Sequence, residues 1–376
     1  MNPVNSVLGP RRVTWEMTQV STIDCLHWRI ESKNKPDPDE LTTREGKNLI
    51  DQLDELGTRR LILAGGDPLE RNDLGELIQY AREKNIKLTL QATPSDKLVS
   101  KVINDFSREG FFRISLPLDA PYPELHNKFW NKKNVFQDTI ELAYEIRENE
   151  MPLQINTVIT SQSAPLMADL FLKISSLNPV TWKIYFLVPT GGDETFQPPG
   201  FHVTRIIFEE IYELEQEVNF EILAVEAPYY NRFWLENKTE ELGINLEQYT
   251  STLNPLSVEK VDEFLRKKIT FNPKRFRRQP GRESLFINHR GTVYPGRFLP
   301  LECGNLRTQS IREIFRDSPV LKQLRNPLEL GGCCQKTNCW AREICGGSRG
   351  RAYFFSGDHM GTDPLCFYHA LKTMRP

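Results

Sequence analysis

The sequence predicts an α/β fold: about six parallel strand–helix units filling the first 225 residues, followed by a smaller, cysteine-rich C-terminal domain. Three observations lead there. Short β-rich runs alternate with longer stretches of helical periodicity, and parallel strands joined by right-handed crossovers bury the apolar face of each helix on a sheet. Six of the seven cysteines lie in the last fifth of the 376-residue chain. With 39% hydrophobic and 26% charged residues, a chain of this length buries a sizeable core without staples.

The strand candidates are RVTWEM (12–17), RLILAG (60–65), IKLTLQA (86–92), FFRISLPL (111–118), LQINTVIT (153–160) and WKIYFLV (182–188). A first helix reads over 40–56, where Leu41, Leu49, Ile50, Leu53 and Leu56 form an apolar stripe of helical spacing. Similar patterns cover about 70–84, 95–108, 135–149, 165–176 and 203–217. Six such units build either an open doubly wound sheet or a partly closed barrel, and in both the ligands sit at the C-terminal ends of the strands. Ser21 to Trp28, Gly65 to Pro68, Pro117 to Asp119 and Pro189 to Gly192 follow such ends. Residues 226–282 read as a connecting or lid segment with a solvated basic patch, and SLFINHRGTVYPG as a hairpin turning at Arg290 and Gly291. One helix is expected over 310–326.

Charge and hydropathy exclude whole classes of function. With 48 basic and 50 acidic side chains, the chain is no nucleic-acid binder driven by phosphate neutralisation. No apolar run reaches the roughly 20 residues that cross a bilayer, and the N-terminus has no apolar stretch of signal-peptide length. The expectation is a soluble cytoplasmic protein with no membrane contact. In such a chain an odd number of cysteines makes a poor disulfide framework and a better metal or cluster signature. Cys333, Cys334, Cys339, Cys345 and Cys366 fall within 34 residues, among glycines that let the backbone wrap closely. Cys334 (or its neighbour Cys333) with Cys339, Cys345 and Cys366 supplies four thiolates, which suit an iron–sulfur cluster or a tetrahedral zinc equally.

In order and spacing these segments resemble the radical S-adenosylmethionine (SAM) superfamily, specifically its members with a C-terminal SPASM domain. VTWEMTQVSTIDCLHW (13–28) is similar to the first strand and cluster loop, and LAGGDP (63–68) to the glycine-rich segment that receives the SAM amino group. RISLPLDAP (113–121) is similar to the segment near the SAM ribose; LQINTVIT and YFLVPTGG resemble the fifth and sixth strands. VYPGRFLPLECGNLRTQSIREIF and ICGGSRGRAYFFSGDHMGTDPLC are similar to the SPASM region. The resemblance implies a partial (β/α)6 TIM-like barrel over 1–225, a connecting segment over 226–282 and a SPASM-like cysteine-rich domain over 283–376. It implies SAM-side contacts from Gly65, Gly66, Asp67 and Pro68, ribose contacts from Ser115 and Asp119, and metal ligands at Cys334, Cys339, Cys345 and Cys366.

The departures from the family pattern carry the functional expectation. The cluster loop is Cys-x3-Cys-x2-Cys, which falls here on Ser21, Cys25 and Trp28. The SAM-cleaving 4Fe–4S cluster takes three thiolates and leaves one iron open. Trp28 donates nothing to iron, and Ser21 offers a hard, high-pKa oxygen. One auxiliary-cluster site expects cysteines where Gly296 and Ser348 stand, whereas the other keeps Cys339, Cys345 and Cys366; Cys303 matches neither. The expected protein has therefore lost radical catalysis and keeps one auxiliary 4Fe–4S cluster (or zinc), with retention of SAM left open. It acts as a pseudoenzyme or accessory factor for a peptide or protein partner, an active paralogue being one candidate. Trp130, Trp182, Tyr229 and Tyr230 are the aromatics available to hold such a chain on an open barrel face. Two alternatives stand beside this reading: an enzyme of altered, non-radical chemistry using SAM or a metal at Ser21, Cys25 and His27, or a still-active radical SAM peptide maturase.

Overall fold

A computed structural model describes residues 9–21, 33–94, 112–190, 196–246, 279–366 and 368. The strands are β1 Arg12–Glu16, β2 Arg60–Ala64, β3 Lys87–Gln91, β4 Phe112–Pro117, β5 Leu153–Ile159, β6 Thr181–Phe186, β7 Glu221–Val225, β8 Ser284–Ile287, β9 Thr292–Tyr294 and β10 Gly304–Asn305. They form one sheet in the order β10-β9-β8-β1-β2-β3-β4-β5-β6-β7. β1 to β7 run parallel in chain order, which makes the partial TIM-like barrel, with helices in the crossovers. Those are α1 Thr43–Glu55, α2 Leu74–Glu83, α3 Pro123–Phe129, α4 Val135–Glu148, α5 Met167–Leu177 and α6 Phe201–Glu217, then α7 Tyr229–Glu241 after β7. The expected helix over 95–108 lies outside the described residues.

Strand alternation decides which side chains reach the barrel interior. Along β1, Val13 and Trp15 are fully buried in the hydrophobic core, whereas Arg12, Thr14 and Glu16 line interior cavities. Trp15 abuts Gly46 of α1 so closely that an added Cβ would lie 2.7 Å from its ring. β6 repeats the pattern. Trp182, Ile184 and Phe186 join the core, where Phe186 meets Phe208 of α6 edge-on at 5.4 Å, and Lys183 and Tyr185 face inward. α1 starts where the sequence allows it to: the Thr42 hydroxyl accepts from Glu45 N, and the Glu45 carboxylate accepts from Thr42 N.

Three expectations are corrected. The parallel strands number more than six, because β7 extends the sheet beyond β6 and β8 lies parallel to β1, from Arg12 beside Ser284 to Trp15 beside Ile287. β8 also forms the expected hairpin with β9, turning at Asn288, whose Oδ1 accepts from Arg290 N and Thr292 N. The helix over 310–326 is two, α8 Ile311–Asp317 and α9 Pro319–Arg325, because Pro319 has no N–H to continue the first. Finally, the first part of the connecting segment, α7, is core, not lid, while residues 247–278, with most of the expected basic patch, lie outside the described residues. Tyr229, Tyr230 and Phe233 of α7 pack around Phe208. Trp182 and Tyr229 are fully buried and Tyr230 nearly so, which withdraws them from an open peptide-binding face. The C-terminal part adds α10 Gly332–Lys336 and α11 Arg349–Ser356. Among the described residues no helix is long and apolar enough to cross a membrane.

Candidate functional site

At the C-terminal end of the barrel, the loop after β1 and the Gly65–Pro68 segment after β2 are zipped together. Gly66 N donates to Thr18 O at 2.8 Å and Asp67 N to Val20 O at 2.6 Å. A Cβ on Gly65, which has φ +140°, would collide with the Thr18 carbonyl, and one on Gly66 with the Val20 carbonyl. Both glycines thus serve close backbone approach. Asp67 is buried and its Oδ1 accepts from Leu69 N, capping the short 3-10 turn Pro68–Glu70. Ser21, in this loop, is buried, its N–H donating to Lys33 O. Cys25, His27 and Trp28 lie outside the described residues, as do Gly191 and Gly192.

Ser115 and Asp119 are likewise built into the scaffold. The Ser115 hydroxyl accepts from Gln154 Nε2 at 3.0 Å. Asp119 Oδ1 accepts from Val158 N at 2.7 Å and Oδ2 from Trp130 Nε1 at 2.8 Å, tying the loop after β4 to β5 and α3. Its own N–H donates to Nδ1 of the buried His126. The half-buried Trp130 thereby belongs to this staple.

Beside these segments a cleft of about 340 Å³ opens, lined by Glu16, Lys33, Tyr185, His289 and Arg297 among others. The sequence reading did not single out these residues. His289, in the β8–β9 turn, places Nδ1 2.7 Å from Glu16 Oε1 and Nε2 3.4 Å from Asp37 Oδ2. Asp37 also takes Arg290 Nη2 at 2.6 Å. Its carboxyl is held down at about 2, first by the Asp39 backbone N–H and then by Arg290. Arg297 is half-buried against Phe286, with its guanidinium 5.6 Å from the ring centre. Burial pulls its pKa down, opposed by Tyr185 and Glu16. The available signal was the polar face of β1, Arg12, Thr14 and Glu16, inside an otherwise apolar strand.

The five C-terminal thiols do come together. Cys333, Cys334, Cys339, Cys345 and Cys366 line one cavity of about 130 Å³ with Arg232 and Tyr368. Arg232 Nη1 donates to Cys339 Sγ at 3.8 Å, and its guanidinium lies 3.6 Å from the centre of the Tyr368 ring. A hydrogen bond from Cys334, helped by the Arg232 charge, favours the thiolate of Cys339, while burial pushes Cys345 up to about 12. Thiols facing a cation in this way suit a thiolate-held metal group. Among the described residues, no three His, Cys, Asp or Glu side chains converge as they would on a single metal ion. Cys303 stands apart, its thiol 3.5 Å from Leu301 O and pushed up to about 11 by burial.

The two auxiliary-site positions that lack cysteine have other occupations. Gly296 packs against Pro280, leaving 3.1 Å to an added Cβ. Ser348 caps α11 by accepting from Arg351 N and donates to the Glu226 carboxylate. Behind it lies a fully buried ion pair, Arg351 to Asp363 at 3.0 Å, with Arg351 also donating to the carbonyls of Phe186 and Glu226.

Comparison with known proteins agrees with this architecture. The pattern of the radical SAM superfamily matches residues 19–162, and that of the SPASM iron–sulfur cluster-binding domain matches residues 280–340. The AdoMet-dependent heme synthase of Methanosarcina barkeri is 30% identical over 365 residues, 97% of this chain and 98% of that protein. The protein of the same name from Oleidesulfovibrio alaskensis is 32% identical over 367 residues, 96% of this chain and 88% of its own length. In fold, the crystal structure of Streptococcus suis SuiB superposes with a TM-score of 0.68 at 14% identity, covering 96% of this chain and 78% of that one. The two domain patterns imply iron–sulfur clusters and SAM binding, and against that background the donor set at Ser21 and Trp28 does not fit a three-thiolate cluster. With both patterns in order and a relative matched along nearly its whole length, the chain belongs to the radical SAM superfamily, among the members that carry a C-terminal SPASM domain.

Proposed function

We propose that this chain is a relative of the heme synthases that no longer cleaves SAM and works as a pseudoenzyme, binding a peptide or protein partner. One observation carries the reading: of the three positions that hold the SAM-cleaving cluster in the family, Ser21 and Trp28 are not thiols. Without three soft thiolates, no cluster with an open iron is anchored at the barrel mouth. The SAM-side residues inherited from the family, Gly65, Gly66, Asp67, Pro68, Ser115 and Asp119, support this reading as scaffold. The glycines serve backbone packing, and both aspartates accept from neighbouring N–H groups.

At the C-terminal site we assign Cys334, Cys339, Cys345 and Cys366 to one 4Fe–4S cluster. The pattern matched over residues 280–340 is that of an iron–sulfur cluster-binding domain, which favours a cluster over zinc at these thiols. Such a cluster, when bound, supplies cross-linking of the C-terminal loops; Arg232 offsets its negative charge.

Identity to heme synthases along almost the full chain favours a second reading, radical SAM chemistry of the kind those names describe. One experiment separates the two. After anaerobic reconstitution, the chain should hold about four irons and no zinc. With SAM and a strong reductant it should release no 5′-deoxyadenosine. The double variant Ser21→Cys, Trp28→Cys should take up further iron. Formation of 5′-deoxyadenosine by the native chain overturns the proposal and establishes the second reading.

A further inference from the structure

We propose that Arg232, acting through the Cys339 sulfur to which it donates, sets the reduction potential of the C-terminal cluster and raises it. This rests on the assignment of one 4Fe–4S cluster to Cys334, Cys339, Cys345 and Cys366, which the iron count tests separately.

Arg232 belongs to α7, the helix after the last barrel strand, yet it lines the thiol cavity together with these four cysteines. Its Nη1 donates to Cys339 Sγ at 3.8 Å. The guanidinium is held from other sides as well. Nε donates to Glu236 Oε1 at 2.8 Å, one turn along the helix, and Glu236 Oε2 accepts from the Tyr368 hydroxyl at 2.6 Å. The guanidinium carbon lies 3.6 Å from the centre of the Tyr368 ring and 5.0 Å from that of Trp340, both within reach of cation–π attraction. Asn231 Nδ2 donates to Ile344 O at 2.8 Å, so α7 is also tied to the residue before Cys345. The Arg232 side chain is only 17% exposed.

A surface arginine would lose rotamer freedom in making such a bond. Here the carboxylate and the two rings have already fixed it, as outer-shell partners fix the ligands of a metal group. Reduction of an iron–sulfur cluster adds one electron and breaks no bond. The thiolates make the site negative beforehand, so the added charge is opposed unless a donor stands against the sulfurs. Hydrogen bonds to sulfur and shielding from water are the means by which a protein sets that potential. Glu236 takes the Nε side of the guanidinium, which leaves Nη1 for Cys339. The ion pair thus turns its positive end to the sulfur, in surroundings less polar than water that strengthen its effect. Arginine suits the position better than lysine, because its fork serves carboxylate and sulfur at once.

The test is a potentiometric titration of the full chain, reconstituted to about four irons. Dithionite supplies the electron, and the paramagnetic resonance signal of the reduced cluster is the readout. Arg232→Gln should take the electron about tenfold less readily, a midpoint about 59 mV lower for a one-electron couple. Arg232→Lys, which keeps the charge without the fork, should lie between that variant and the native chain. Arg316→Gln, on the exposed surface, should match the native chain. A packing role alone would change iron content or melting temperature and leave the midpoint where it was. Should Arg232→Gln hold less iron, Arg232→Met makes the same measurement. The proposal is overturned by a native midpoint in the neutral variants, by one that Arg232→Lys fails to raise above theirs, or by a native cluster that dithionite leaves oxidised. A chain that binds zinc, or no iron, overturns the cluster assignment and the proposal with it.

Discussion

Gly66 stands so near the Val20 carbonyl that no side chain fits between the first two βα loops. Gly66→Ala should therefore destabilise the chain by about 2–3 kcal/mol, measured as a lowered urea midpoint. Gly75→Ala in α2, where an added Cβ meets nothing, should be neutral or slightly stabilising in the same assay. At Asp37 the sign of the pH effect follows from its shift. The folded carboxyl is depressed from its ordinary 3.8 to about 2, so its contribution is present above 3.8 and lost as pH falls through 2. Stability should drop across that window, and Asp37→Asn should remove this part of the drop, read as urea midpoints between pH 5 and 2. At this scale the non-thiol positions Ser21, Gly296 and Ser348 were legible only through the resemblance, by laying the family's cysteine pattern on the sequence. The Glu16–His289–Asp37 contact was not, because 273 residues separate Glu16 from His289 and no local pattern encodes that meeting.

Among the elements, α1 is the one whose start is written most plainly. Its capping box also serves a distant segment: Arg307 Nε donates to Glu45 Oε1 at 2.7 Å, fastening the loop after β10 to the helix. Thr42→Ala should cost about 1 kcal/mol in thermal or urea unfolding, the usual loss for a side-chain N-cap. The Leu stripe made this helix legible. The break at Pro319 was missed because Ile311, Ile314, Phe315, Leu321 and Leu324 keep an apolar rhythm across it, and periodicity was followed over backbone chemistry. β7 was missed although Ile222, Leu223, Ala224 and Val225 form an apolar run, because so short a run does not by itself separate a strand from a buried helical segment. The β8–β9 hairpin was visible as a local turn. The parallel pairing of β8 with β1 was not, since it joins opposite ends of the chain.

For the molecule as a whole, the Arg351–Asp363 pair fastens the cysteine-rich part to the barrel, because Arg351 also donates to Phe186 O at the end of β6. Removing the carboxylate leaves a guanidinium buried without its counter-charge. Asp363→Ala should cost about 3–5 kcal/mol, and both parts should melt together when followed by calorimetry. The pairing of β8 with β1 bears on how the protein is made. Roughly 270 residues lie between those strands, and at roughly 5–20 residues per second a ribosome needs some 15–50 s to bridge them. Throughout that interval, one row of β1 main-chain donors and acceptors waits bare, a template for any passing extended chain. That edge is covered only when the β8–β9 hairpin emerges and β8 pairs with β1.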